Sequence, residues 1–171
     1  MMARTKGDPP PMSKRLEHDL TYDAPPDAVA AMLADPAFRE EVCDYMGVLR
    51  HSVTVERTDS GLDVVIDQVQ AARGLPSFAT KFVGDEINIV QRETWASMDR
   101  SRIHVTIPGK PGEMSGTGRL DDSGGPTVHA VSLDIKVGIP LVGGKIEGLI
   151  SDLLLKALKA ENKVGRDYLS R

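Results

Sequence analysis

One cysteine, Cys43, stands among 171 residues. A lone thiol excludes an internal disulfide and any metal cage built from several cysteines. The four histidines, His18, His51, His104 and His129, fall in none of the close spacings that bring two imidazoles to one metal ion. Neither a metal nor another cofactor is expected. No basic block occurs, and the net charge is −4; a nucleic-acid face needs concentrated Lys and Arg, so no such partner is expected. No run reaches the ~18 apolar residues of a membrane span, since the best candidate, residues 148–158, is broken by Asp152 and Lys156. The opening MMARTKGDPPPM carries no apolar stretch of the kind a secretory signal needs. Its prolines and glycine predict a disordered arm over residues 1–12, with Met12 as an alternative start. One folded domain over 13–171, in the cytoplasm, is the expectation.

The remaining pattern alternates between two periods. SKRLEHDLTYD has period two around Leu16, His18, Leu20 and Tyr22, which predicts a strand. Two short helices follow. In the first, Val29, Met32 and Leu33 share a face behind a proline start; in the second, Asp35 caps, Pro36 opens, Phe38, Val42, Tyr45 and Met46 align, and Gly47 stops. LRHSVTVER, the turn TDSG and LDVVIDQVQ form a hairpin pattern. RGLPSFATKFVGD reads as a short amphipathic helix, or as an irregular loop or strand. EINIVQRETWASM, RIHVTIPG, EMSGTGRLDD and PTVHAVSLDIKVGI complete about seven strands with hairpin-length turns, so the sheet is expected to be antiparallel. From Gly144 to about Tyr168 the period becomes helical, with a stripe of Ile146, Leu149, Ile150, Leu153, Leu154, Ala157 and Leu158 and with Glu147 off it. An antiparallel sheet with one apolar face must cover it, and this helix is the only element large enough.

The junction GIPLVGGKIEGLI has the strand–glycine–lysine–helix order of a phosphate loop. Gly138 and Gly143 have the right separation, but Gly144 stands where the lysine belongs and Ile146 where a hydroxyl is needed. The antiparallel surroundings also differ from the parallel folds that carry such loops. The segment is read as a bend that lays the long helix across the sheet.

This element order resembles the helix-grip fold of the START and birch-pollen-allergen superfamily (SRPBCC), an α+β architecture in which a curved antiparallel sheet wraps around a long C-terminal helix, with two short helices after strand one. LEHDLTYDAP, DPAFREEVC, LPSFATKFVGD, ETW and VGIPLVGGKIEGLI resemble more closely an actinobacterial family in that superfamily with no assigned function. The likeness runs from about Met12 to Leu169. It implies a cavity between sheet and helix that takes apolar ligands, and it supplies no catalytic residues.

Candidate site residues follow from strand and helix faces. By alternation Val53, Val55, Ile66, Ile89 and Trp95 share faces with the polar His51, Gln68, Gln91 and Glu93. Buried polar groups need partners, so these four either bind a ligand headgroup or satisfy one another near strand ends. Glu93 and His51 are the only candidates for an acid/base pair. Leu149, Ile150, Leu153, Leu154 and Ala157 are either packed core or cavity wall, and Phe78 and Phe82 either gate the cavity or cap the core. His104 and His129 fall on the opposite, solvent-facing parity. Cys43 reads as a buried thiol, and the charges in REE, KAENK and GRDYLSR read as solvated helix faces. The expected function is binding or carriage of a small hydrophobic ligand, lipid or polyketide-like. The alternatives are a cyclase- or hydratase-like enzyme in that cavity and a protein-interaction module; oligomeric state is left open.

Overall fold

The computed structural model of the protein describes residues 13–122 and 124–171. The expected arm over 1–12, and the choice between Met1 and Met12, lie outside the described residues. The chain runs β1 (Lys14–Tyr22), α1 (Pro26–Leu33), α2 (Pro36–Met46), β2 (Arg50–Thr58), β3 (Gly61–Ala71), α3 (Ser77–Val83), β4 (Glu86–Ser97), β5 (Arg100–Thr106), β6 (Glu113–Asp121), β7 (Thr127–Lys136) and α4 (Gly143–Leu169). The strands form one antiparallel, curved sheet in the order β1-β7-β6-β5-β4-β3-β2. After β1, the helices α1 and α2 carry the chain to the opposite edge, and the hairpins then return strand by strand until β7 pairs with β1.

Local chemistry sets the helix pair. The Asp35 carboxylate accepts a hydrogen bond from the Ala37 backbone N–H at 3.0 Å, satisfying a donor that the first turn leaves open. Gly47 ends α2 at φ 70°, a left-handed conformation that costs glycine little. Phe38, Cys43, Val29, Met32 and Leu33 are buried. Tyr45, expected on the same face as Phe38, is instead 60% exposed.

Helix α4 has 27 residues and is therefore about 40 Å long. Its C-terminal half is docked. Ala160, Val164 and Gly165 are buried, and Gly165 sits so close to β1 that a Cβ there would lie 2.6 Å from Tyr22 Cε1. Asn162 and Arg166 both donate to the Thr21 carbonyl. At the other end, the Glu147 carboxylate accepts the Val137 N–H at 2.9 Å. That bond pins the N-terminal part of α4 to the end of β7, and Glu147 is buried rather than on the outer face. Between these anchors the helix crosses the sheet without filling the space beneath it.

Candidate ligand-binding cavity

A cavity of about 560 Å³ lies between the middle of α4 and the inner face of strands β3, β4 and β5. Its roof is Ile146, Leu149, Ile150, Leu153, Leu154 and Ala157; its floor includes Gln68, Ile87, Ile89, Gln91 and Val105; Ala79 and Phe82 of α3 close one side. The helical spacing of the roof residues explains their common direction. Leu149, Leu153 and Leu154 are only half-buried, because part of their surface meets the void rather than other atoms. A side chain facing a void loses fewer contacts on truncation. Leu153→Ala is accordingly expected to cost less than ~2 kcal/mol, while Leu20→Ala, fully buried in the core, should cost ~2–5 kcal/mol. Urea denaturation of the two variants measures the difference; equal losses would mean that the helix stripe is packed core.

A smaller chamber of about 60 Å³ adjoins it, lined in part by Arg39, Glu93, His129 and Glu161. Arg39 of α2 is 3% exposed and Glu93 of β4 is 4% exposed. Their guanidinium and carboxylate meet in two parallel bonds of 3.0 and 2.9 Å. Arg39 Nε also donates to the Leu33 carbonyl, while Gln91 Nε2 and Trp95 Nε1 both donate to Glu93. A second carboxylate, Glu161 of α4, stands 3.6 Å from Arg39 Nη1. Burial favours the neutral form of each group, yet the two carboxylates hold Arg39 above its ordinary value, and Arg39 holds Glu93 below its own. The balance falls the other way for Glu161: burial pushes it up to about 7, with Arg39 opposing and Glu93 assisting. Burial also pushes His129 of β7 down to about 4, against the pull of Glu93. Arg39 and Glu93 are therefore a charged pair, and His129 is a neutral imidazole beside it at neutral pH.

Residues 17–169 match the family model described as "Protein of unknown function (DUF2505)". The chain belongs to this DUF2505 family. A protein of Mycobacterium tuberculosis is 28% identical to it over 112 residues, which cover 61% of this chain and 64% of the relative. The chain thus spans 64% of the length of the curated relatives it matches. Among solved structures, the Zhui aromatase/cyclase from a Streptomyces species has a TM-score of 0.64 at 15% identity, covering 93% of this chain and 94% of that one. Norcoclaurine synthase from Thalictrum flavum, in complex with dopamine and hydroxybenzaldehyde, has a TM-score of 0.58 at 17% identity, covering 89% and 86%. At such identities the likeness establishes the fold alone, and that fold is the helix grip.

In this DUF2505 protein the expected site residues separate into three groups. Gln68, Ile89, Gln91, Phe82, Leu149, Ile150, Leu153, Leu154 and Ala157 line the main cavity, and Ile66 and Glu93 line the smaller chamber. Trp95 supports Glu93 from behind instead of forming the wall, and Phe78 is half-buried on α3 outside it. Val53 and Val55 pack on the core from edge strand β2, away from both cavities.

The acid/base pairing of Glu93 with His51 does not hold. Glu93 lies across β3 from β2, level with Val55, four residues along from His51; two strand spacings and four residues separate their backbones by roughly 16 Å. His51 faces Asp44 of α2 at 3.1 Å, and Glu93 is committed to Arg39. Three residues that matter differ from their sequence pattern: Arg39 and Glu161 lie in runs that read as solvated charges, and His129 lies on the parity that reads as the outer face. All three are buried. For His129 a signal existed, because Val131, Leu133 and Ile135 share its parity and all face inward. His104 is exposed beside Glu113 as expected. Cys43 is buried and pushed up to about 11, chiefly by that burial, so its thiol stays protonated at neutral pH.

Proposed function

We propose that this protein binds or carries a small hydrophobic molecule, lipid or polyketide-like, in the cavity under α4. The observation that carries this reading is the cavity itself. Its volume of about 560 Å³ falls in the range of small-molecule sites, and its walls combine many apolar side chains with a few polar ones, as such sites do. The fold relatives point the same way, since one is an aromatase/cyclase and another was solved with two small aromatic compounds. A cytoplasmic setting and one folded unit over 13–171 belong to the same proposal. Among the described residues no helix is long and apolar enough to cross a membrane.

Ala157→Trp is the decisive variant, because Ala157 lines both cavities and an indole there would occupy the void without displacing packed core. Binding of an apolar fluorophore such as 1-aminoanthracene should fall at least about tenfold while stability changes by less than ~1.5 kcal/mol. Native mass spectrometry of the gently purified protein should show a bound apolar mass that this variant lacks. If the fluorophore binds both proteins equally, the cavity is not the binding site.

A further inference from the structure

The smaller chamber is lined in part by two residues, His129 and Glu161, with buried polar atoms that lack a hydrogen bond; one of these atoms, Glu161 Oε1, has only the Arg39 guanidinium near it, at 3.6 Å. Both ring nitrogens of His129 and one carboxyl oxygen of Glu161, Oε1, are buried without a hydrogen-bond partner. The large majority of buried side-chain polar atoms are paired in native proteins, so three such atoms on two residues that line one chamber call for an occupant. The space, about 60 Å³, has room for a few waters or for one small polar group. It is also not isolated. Met46, Gln68, Gln91, Val105, Leu154 and Ala157 belong to the walls of both cavities, so the chamber adjoins the main cavity and adds buried ionisable groups to one end of it.

We propose that this chamber is a subsite for the uncharged oxygen head, a ketone or hydroxyl group, of the molecule whose apolar body occupies the main cavity. The proposal rests on the apolar-ligand reading above and adds the chemistry of the ligand's buried end. Charge counting excludes an ionised head. Arg39 is matched by Glu93 through two bonds; burial holds His129 neutral above about pH 4 and keeps Glu161 mostly protonated below about pH 7. A charge brought into this set would have no counter-ion, and burying it would be costly. An uncharged oxygen meets what is available: a neutral imidazole offers one N–H and one lone pair, and a protonated carboxyl offers an O–H. A ketone accepts from either donor, and a hydroxyl can accept from one group and donate to the other.

The test compares 2-acetylnaphthalene with 2-ethylnaphthalene, near-isosteric probes that differ in one oxygen, titrated by naphthalene fluorescence at pH 6. The readout is the ratio of the two dissociation constants. That ratio should favour the ketone about tenfold more in the wild-type protein than in His129→Phe or Glu161→Leu, the range expected for a buried hydrogen bond. Glu161→Gln, which retains a donor and an acceptor, should keep the ratio within about twofold of wild type. Binding of 2-ethylnaphthalene reports in each variant that the main cavity is intact, so a variant that does not fold is recognised and the other carries the comparison. A ratio unchanged across all four proteins overturns the subsite and leaves the chamber to water alone. Failure of both probes to bind the wild-type protein overturns the apolar-ligand reading instead.

Discussion

Arg39→Met is expected to lower the free energy of unfolding by about 3–5 kcal/mol, the usual cost of breaking a buried ion pair from one side. The arginine joins three elements at one point. Its guanidinium meets Glu93 of β4 at 2.9 Å, approaches Glu161 of α4 at 3.6 Å, and its Nε caps the Leu33 carbonyl at the end of α1. Methionine fills a similar volume but leaves Glu93 4% exposed with only Gln91 and Trp95 as donors. The carboxylate must then stay charged in an apolar site or take up a proton. The double variant Arg39→Met/Glu93→Gln removes the charge as well as its partner and should recover a large part of the loss. Urea denaturation at pH 7 measures both. A loss below about 1 kcal/mol for Arg39→Met would mean that Glu93 reaches water in the folded protein, contrary to its burial.

The second large effect is on pH dependence. Glu161 titrates at about 7 in the folded protein against an ordinary 4.5, so the folded state binds more protons between those values. Its contribution to stability is complete below pH 4.5 and is lost as pH rises to 7. His129 behaves in the opposite sense. With a folded value of about 4 against 6.5, it resists the proton that the unfolded state takes, so stability is lost as pH falls from 6.5 to 4. Each shift corresponds to roughly 3 kcal/mol. The charged and titratable groups facing Glu161 are Arg39 from α2, Glu93 from β4 and Tyr22 from β1; those facing His129 are Glu93 and Arg39.

Between pH 4.5 and 6.5 the two slopes oppose each other in the wild-type protein. Glu161→Gln should expose the rise due to His129, gaining stability relative to wild type as pH increases through that window. His129→Phe should expose the fall due to Glu161. Thermal denaturation from pH 4 to 8 distinguishes the profiles, and parallel curves for all three proteins would mean that neither group titrates away from its ordinary value.

The elements were legible because their signals are local. Period two in LRHSVTVER and EINIVQRETWASM, the caps Asp35 and Gly47, and the stripe from Ile146 to Leu158 each lie within a few residues of chain. So does the displacement of Lys145 that removes the phosphate-loop reading of GIPLVGGKIEGLI, and the antiparallel sheet before it agrees. The short helix over RGLPSFATKFVGD, left open against a loop or strand, forms at Ser77–Val83. Much of the cavity wall was legible for the same reason, since a helix face and strand alternation assign a direction to each side chain.

The polar chamber was not legible, because its members are assembled across the fold. Arg39 and Glu93 are 54 residues apart, and Glu161 arrives from the last helix. In sequence, Arg39 sits in REE and Glu161 in KAENK, runs that resemble solvated helix faces. His129 is flanked by Val128 and Ala130, which mimic an inward-facing alternation of the wrong parity. The sequence by itself determined the order of strands and helices, the antiparallel sheet and the apolar face of α4, through periodicities that act over a turn or a pleat. Only the tertiary structure decided that three charged or titratable side chains turn inward and meet. Burial and electrostatic pairing are set by neighbours in space, and no local pattern encodes which distant partner will neutralise a charge.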